Sequence, residues 1–190
     1  LEEKPFDLTV VLDEISTILS PQATKKGVRY EILRREALPV THVIGSPRYV
    51  SQVIMNMAGN AVKYSKPDGW IRVNTTLVSE TEDTVTYEFV CADNGIGMSE
   101  EFVKHIFDPF VQEHYDARSV YQGTGLGMSI VKNLVDRMGG SIEVSSREGV
   151  GSSFVVTLPF EISDRPANVQ ADKPASIAGL HLMVVEDNML

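Results

Sequence analysis

Residues 56–65 read NMAGNAVKYS and separate polar from apolar side chains on a predicted helix. At about 100° per residue, the polar positions fall within an arc of roughly 100°; they are Asn56, Asn60, Lys63 and Tyr64. The apolar positions centre about 120° away; they are Val50, Ile54, Met57 and Ala61. Carboxamide oxygens suit Mg²⁺ beside phosphates, and a lysine one turn further on can pair with a phosphate oxygen. The same spacing also fits the solvated face of an ordinary amphipathic helix, so only the neighbouring motifs distinguish the two interpretations.

Regular elements surround this helix in the sequence. Ser46 can cap it, and Pro47 suits its first position. Helical periodicity predicts two further helices, over residues 8–26 and 125–138, and a short helix after Ser99. Alternation and β-branched residues predict strands over residues 28–33, 41–44, 70–79, 84–92, 141–146 and 152–159.

A first glycine cluster directly follows the predicted strand 84–92. It consists of Asp93, Asn94, Gly95, Ile96, Gly97 and Met98. Glycines tolerate positive φ and let a ligand approach the backbone. An aspartate at a strand end can accept a hydrogen bond from an exocyclic amine. A tight turn capped by the aspartate is the alternative interpretation.

A second glycine cluster opens the predicted helix 125–138. It consists of Gly123, Thr124, Gly125, Leu126, Gly127 and Met128. Backbone N–H groups at a helix N-terminus form an anion site. The cluster lacks the patterns of the P-loop and of the dinucleotide fingerprint. A third cluster, residues 149–152, lies between the last two predicted strands and also fits a simple hairpin turn.

The segment between the first two clusters has no clean period. It contains Phe107-Asp108-Pro109-Phe110 and, further on, Arg118. An aperiodic segment that ends in glycines is typical of a hinged lid, although an ordinary surface loop would look the same. The four histidines show no metal-ligand spacing; they are His42, His105, His114 and His181.

The composition limits the possible functions. The 190 residues include 26 acidic and 17 basic side chains, which gives a formal net charge of −9. Such a chain repels phosphate backbones, so we expect no nucleic acid as partner. The single cysteine, Cys91, excludes an internal disulfide and a cysteine-based zinc site. Because the chain has neither an apolar run of about 18 residues nor a signal peptide, we expect a cytoplasmic segment without direct membrane contact.

Taken in order, these motifs resemble the catalytic ATP-binding domain of sensor histidine kinases, from the superfamily that also holds gyrase, Hsp90 and MutL. The similarity extends over about residues 1–160. The matching segments are an N box at 56–65, a G1 box at 93–97, an F box at 107–110, a G2 box at 123–127 and a final glycine motif at 149–152. The resemblance implies an α+β fold of the Bergerat type, a two-layer α/β sandwich. A mixed sheet of about five strands would pack on three helices, with a flexible ATP lid.

The resemblance also implies ATP and Mg²⁺ as cofactors. Asp93 would accept the adenine amine, and Gly95, Ile96, Gly97 and Met98, in and directly after the G1 box, would be further nucleotide contacts. Asn60, assisted by Asn56, would hold Mg²⁺. The other implied nucleotide contacts are Lys63 and Tyr64 towards phosphate or ribose, Phe107 and Arg118 in the lid, the G2 residues 123–128 at the phosphates, and Ser152 beside the adenine. From Ser79 to Glu101 the chain carries seven acids and no lysine or arginine, which predicts that ATP binding depends on Mg²⁺.

Two departures from the family pattern bear on the reaction. The ATP-hydrolysing branches carry Glu where Asn56 stands, and an amide cannot accept the proton of an attacking water. The chain therefore resembles the kinase branch, which transfers the γ-phosphate to a histidine. No histidine here has the H-[ED]-x-x-x-P context of the phosphoacceptor, so we expect the helices for dimerisation and histidine phosphotransfer to be a partner outside this segment. A non-catalytic nucleotide-sensing pseudokinase and a gyrase- or Hsp90-like ATPase remain as alternatives; Asn56 argues against the second.

The last 30 residues, 161–190, lie outside the segment that resembles the ATP-binding domain. Residues 161–178 are polar, contain two prolines and predict a linker. Residues 179–190 resemble the first strand of a response-regulator receiver domain, with Glu186 and Asp187 at its end. The resemblance implies a hybrid kinase whose partner is a receiver domain in cis or a separate response regulator.

Overall fold

The computed structural model describes residues 3–33, 38–113 and 124–163. Its elements, in chain order, are β1 (Lys4–Asp7), α1 (Leu8–Lys25), β2 (Arg29–Leu33), β3 (His42–Gly45), α2 (Pro47–Tyr64), β4 (Trp70–Glu80), β5 (Thr84–Asp93), α3 (Glu100–Val103), α4 (Gly127–Arg137), β6 (Ser141–Arg147) and β7 (Gly151–Ile162). None of the helices within these ranges is long and apolar enough to span a membrane.

The two central strands have one apolar face, because successive side chains of a strand point to opposite sides. In β5 the buried side chains are Val85, Tyr87, Phe89 and Cys91. In β7 they are Phe154, Val156, Leu158 and Phe160. The apolar stripes of α1, α2 and α4 join these residues in one core. The result is a two-layer arrangement of a sheet covered by helices.

The strands form one mixed sheet in the order β1-β3-β7-β5-β4-β2. The pairing of β2 with β4 is parallel, and the other described pairings are antiparallel. β6 pairs with the first half of β7. Along β5 and β7, Asp93 lies opposite Ser152 in the register, so the end of one strand and the start of the other present these two side chains together.

The predicted fold class is confirmed, with a difference in the number of strands. The described sheet has seven strands instead of about five, and one of the additional strands is β1, which pairs with β3 ahead of α1. Phe6 of β1 is buried, and Asp7 caps α1 by accepting the N–H of Thr9 at 2.9 Å. The sequence around β1 did not predict it, because the strand depends on pairing with β3 and on the burial of Phe6.

The predicted domain boundaries are only partly within the described residues. β7 continues to Ile162, and the structure describes nothing beyond residue 163. The linker over 161–178 and the receiver strand over 179–190 therefore stay predictions.

A lysine that follows α1 holds the last turn of α2. Lys26 Nζ donates hydrogen bonds to the carbonyl oxygens of Val62 at 2.8 Å and of Lys63 at 2.6 Å. The last carbonyls of a helix have no partner within it and carry partial negative charge. The ammonium therefore satisfies two of them and fixes the turn that carries Lys63 and Tyr64.

We predict that Lys26→Met lowers the free energy of unfolding by about 1 kcal/mol, because two helix-end carbonyls lose a charged donor. Urea titration followed by circular dichroism measures the change. Lys25→Met is the matched control, since Lys25 is exposed on the same helix, and should change stability by less than about 0.5 kcal/mol. Equal losses for both variants would contradict the capping role.

Candidate functional site

A cleft of about 250 Å³ opens between α2, the loop after β5, α3 and the start of α4. Its wall combines polar groups with apolar side chains. The lining residues that were predicted from the sequence are Asn60, Lys63, Tyr64, Asp93, Ile96, Gly97, Met98, Thr124, Gly125, Gly127, Met128 and Ser152. Segments more than 90 residues apart in the sequence therefore meet at one cavity, as expected for a ligand site.

Some predicted site residues lie next to this wall or beyond the described residues. Within the described part of the chain, Asn56, Gly95, Phe107 and Leu126 are not among the lining residues. Arg118 and Gly123 lie outside the described residues. The nucleotide and metal contacts assigned to these six residues stay predictions, as do those assigned to the lining residues.

Asp93 is a half-buried acid that lines the cleft. Its Oδ1 accepts the N–H of Gly95 at 2.7 Å. Burial raises the pKa of this carboxyl, and hydrogen bonds from the backbone of Gly95 and Ser152 and the charge of Lys66 partly oppose the rise. A half-buried carboxylate with a defined orientation is a strong acceptor for a ligand N–H group.

The loop after Asp93 is held between α2 and the turn that joins β6 to β7. Ile96 donates its N–H to the carbonyl of Tyr64 at 3.1 Å and accepts the N–H of Gly149 at 2.6 Å. Gly97 has φ of 66°, and a Cβ at this position would lie 1.9 Å from the carbonyl oxygen of Arg147. The glycine is therefore required both for its backbone angle and for the close approach of the turn.

The two asparagines of α2 occupy different places. Asn60 lines the cleft, whereas Asn56 lies at the junction with α4, where its Oδ1 would be 3.7 Å from a Cβ added at Gly127. Both amides are half-buried. Within the described residues there is no cluster of three or more histidine, cysteine, aspartate or glutamate side chains that could hold a metal ion. A donor set of neutral amides fits Mg²⁺ that takes most of its ligands from phosphates and water, and does not fit an all-protein cage.

The start of α4 faces the same cleft with its backbone. The helix begins at Gly127, and among the described residues no side chain caps it at Leu126. Its first N–H groups have no partner inside the helix, and the macrodipole adds positive potential there. The carbonyl of Gly125 accepts the N–H of Phe110 at 3.0 Å, which joins the end of the predicted F box to the second glycine cluster.

Sequence reasoning missed several wall residues. They are Ala61, Phe102, Ile106, Val111, Gln112, Glu113 and Phe154. Phe102 lies in α3 and Ile106 in the turn that follows it; their spacing of four residues could have indicated a shared apolar face. Glu113 gave no local signal, because its position depends on a hydrogen bond across the fold, in which its Oε1 accepts the N–H of Ser99 at 2.7 Å.

Some of the seven acidic residues between Ser79 and Glu101 lie far from the cleft. Glu80, Glu82 and Asp83 lie at the turn between β4 and β5. That turn is at the opposite end of β5 from Asp93, about 30 Å away at the rise of a strand. Asp93 and Glu113 are the acids that line the cleft in the described residues, and Glu100 and Glu101 lie in α3 directly before the lining residue Phe102.

Comparison with known proteins shows the family of the chain. Residues 45–162 match the family model described as histidine kinase-, DNA gyrase B-, and HSP90-like ATPase. The autoinducer 2 sensor kinase/phosphatase LuxQ of Vibrio harveyi is 34% identical over 196 residues, which cover 99% of this chain and 22% of LuxQ. The sensor histidine kinase AruS of Pseudomonas aeruginosa is 34% identical over 196 residues, which cover 98% of this chain and 19% of AruS. The chain thus spans about a fifth of the length of these relatives.

Solved structures agree with the sequence comparison. The crystal structure of full-length ShkA in complex with AMPPNP superimposes with a TM-score of 0.70 at 27% identity, over 86% of this chain and 32% of ShkA. The catalytic domain of the histidine kinase ThkA shares the fold, with a TM-score of 0.62 at 23% identity over 84% of this chain and 98% of that domain. The chain therefore belongs to the histidine kinase-, DNA gyrase B- and HSP90-like ATPase family, and within it to the type found in sensor histidine kinases.

Proposed function

We propose that the chain binds Mg-ATP in the cleft and donates the γ-phosphate to a histidine on a separate helical phosphoacceptor domain, as a step of a two-component phosphorelay. The observation that carries the proposal is that one cavity is lined by a half-buried acceptor, Asp93, by the carboxamide of Asn60 and by the uncapped start of α4. A base with an exocyclic amine and an anionic tail matches these features at its two ends.

The base would occupy the part of the cleft next to Asp93. Asp93 accepts from the adenine amine, and the apolar walls from Met98, Ile106 and Phe154 contact the ring. The backbone hydrogen bonds to Asp93 fix the direction of the carboxylate before the ligand arrives, so little side-chain entropy is lost on binding. The crystal structure of the relative ShkA was obtained with AMPPNP, which is consistent with an adenine nucleotide here.

The triphosphate would extend towards α2 and α4. The first N–H groups of α4 and the Lys63 ammonium supply positive charge for phosphate oxygens. Asn60, with Asn56 behind it, would hold Mg²⁺, which neutralises charge on the phosphates. Phosphoryl transfer needs positioning and charge neutralisation more than covalent help from the protein, and these residues can supply both.

The acceptor of the phosphoryl group is inferred from the residue type at position 56 of α2. Asn56 has a neutral amide and cannot act as the base that activates water. We therefore expect slow ATP hydrolysis by this chain alone and transfer only when a histidine is presented. A pseudokinase that senses nucleotide without transfer would use the same cleft, and an acceptor assay separates the two.

The partners of the longer protein follow from the same proposal. The acceptor histidine would belong to dimerisation and phosphotransfer helices, and the phosphate would pass on to a receiver domain in cis or to a response regulator. The relatives include the sensory/regulatory protein RpfC of Xanthomonas campestris pv. campestris, 34% identical over 166 residues. We propose a cytoplasmic location for this segment, with any membrane anchor elsewhere in the longer protein.

We predict that Asp93→Asn weakens Mg-ATP binding by about tenfold to a hundredfold, or about 1.4–2.8 kcal/mol. The backbone N–H groups of Gly95 and Ser152 would claim the amide oxygen, which leaves an NH₂ group facing the adenine amine. Isothermal titration calorimetry measures the affinity, and circular dichroism checks that the fold is retained. Asp83→Asn, at the far end of β5, is the control and should bind as the wild type does; an unchanged affinity for Asp93→Asn would refute this role.

We predict that Asn60→Ala removes the Mg²⁺-dependent part of the affinity, a loss of about tenfold, or about 1.4 kcal/mol. In the presence of EDTA, the wild type and the variant should bind ATP equally weakly, because the amide acts through the metal. Titrations with and without Mg²⁺ measure this difference. Gln52→Ala, an exposed amide on the same helix, is the control, and a loss that persists in EDTA would contradict a metal-ligand role.

The transfer reaction is tested by mixing the chain and Mg-[γ-³²P]ATP with a histidine-bearing helical hairpin from a related sensor kinase. We expect a phosphorylated hairpin whose label is lost in acid and retained in base. A hairpin with the histidine replaced by glutamine is the control. Binding of ATP without label on any hairpin that has an intact histidine would favour the pseudokinase instead.

A further inference from the structure

Ser146, on β6, lies at the centre of a hydrogen-bonded cluster just behind the cleft. Its Oγ accepts the N–H of Met98 at 2.9 Å. The same oxygen lies 3.0 Å from the carbonyl oxygen of Gly151 and 2.9 Å from the Oγ of Ser152. Met98 and Ser152 both line the cleft, whereas Ser146 touches it only through them.

The roles of the two hydroxyl groups follow from counting hydrogens. A serine hydroxyl has one hydrogen to donate and two lone pairs to accept with. The N–H of Met98 can only donate, and the carbonyl of Gly151 can only accept. If Ser146 gives its hydrogen to Gly151, its second lone pair remains for the hydrogen of Ser152. This is the arrangement in which all three contacts of Ser146 are hydrogen bonds.

The arrangement determines what Ser152 presents to a ligand. With its hydrogen committed to Ser146, the Ser152 hydroxyl offers only lone pairs to the cleft. Its cross-strand partner Asp93 is likewise an acceptor. These two residues are therefore complementary to N–H groups of a ligand. A ligand carbonyl oxygen at the same place would face two acceptors and could form no hydrogen bond with them. Burying such an unpaired oxygen away from water costs free energy.

We propose that Ser146 is a positioning residue that holds Ser152 as an acceptor and so makes the cleft select a 6-amino over a 6-oxo purine nucleotide. The inference rests on the proposed binding of Mg-ATP. It assigns part of the base selectivity to a side chain that does not contact the base. Asp93 supplies the acceptor for the amine, and Ser146 prevents its neighbour from becoming a donor for an oxo group.

The test compares the affinities of Mg-ATP and Mg-ITP for each variant of the 190-residue chain. ITP carries a 6-oxo group in place of the amine and a hydrogen on N1, so its base presents an acceptor at position 6 and a donor at N1, the reverse of adenine. We expect the wild type to prefer ATP and Ser146→Ala to reduce the ATP-to-ITP affinity ratio about tenfold, because the freed Ser152 hydroxyl can turn and donate to the oxo group. Ser146→Thr keeps the hydroxyl and should keep the ratio. Ser145→Ala, at the exposed neighbouring position of β6, should also keep it.

A double-mutant cycle separates this role from a structural one. In the Ser152→Ala background, Ser146→Ala should leave the ratio unchanged, because the hydroxyl that it releases is absent. A general loosening of the loop at Met98 would weaken both nucleotides alike and leave the ratio of the single variant unchanged, which would overturn the inference. If the wild type binds ATP and the ratio does not respond to Ser146→Ala, only this inference fails; if the wild type does not bind Mg-ATP, the proposed function fails with it.

Discussion

The loop after β5 passes between two neighbouring segments so closely that Gly97 has no room for a side chain. On one side lies the last turn of α2, whose Tyr64 carbonyl bonds the N–H of Ile96. On the other side lies the turn between β6 and β7, whose Arg147 carbonyl leaves no room for a Cβ at Gly97. This packing fixes Asp93 at the end of its strand and brings the base wall, the amide face of α2 and the start of α4 around one cleft. Because three separate elements must meet there, the site depends on the fold and not on any single motif.

Helix α2 runs from this loop to the part of the cleft where the phosphates are proposed to bind. Its apolar stripe packs into the core through Val50, Ile54, Met57 and Ala61, which leaves the amide face free to line the cavity. The last turn is held from outside by the ammonium of Lys26, so the orientation of Lys63 and Tyr64 is set by α1 as well as by α2. Helix α2 carries Asn60 and Lys63 next to the backbone amides at the start of α4, and the two elements would supply preorganised charge for the triphosphate proposed to bind there.

Sequence patterns predicted the elements with strong periodicity and the residues with special backbone needs. The apolar period of α2, the alternation in β5 and β7 and the three glycine clusters all correspond to observed features. The short strand β1 was not predictable, because its formation depends on pairing with β3 and on burial of Phe6. The positions of Glu113 and Ser146 were equally out of reach, since each depends on a contact across the fold. The count of acids along the sequence does not give their distances from the cleft, because Glu80, Glu82 and Asp83 lie at the opposite end of β5 from Asp93; the dependence of ATP binding on Mg²⁺ stays a prediction.

The central claim is that one cleft holds the purine at Asp93 and the phosphates at Asn60 and the start of α4. A crystal structure of the chain soaked with Mg²⁺ and a non-hydrolysable ATP analogue tests it most directly. The account predicts the exocyclic amine within hydrogen-bonding distance of Asp93, and phosphate oxygens at the first amides of α4 with Mg²⁺ on Asn60. A nucleotide bound elsewhere, or the reverse orientation with the phosphates at Asp93, would contradict it.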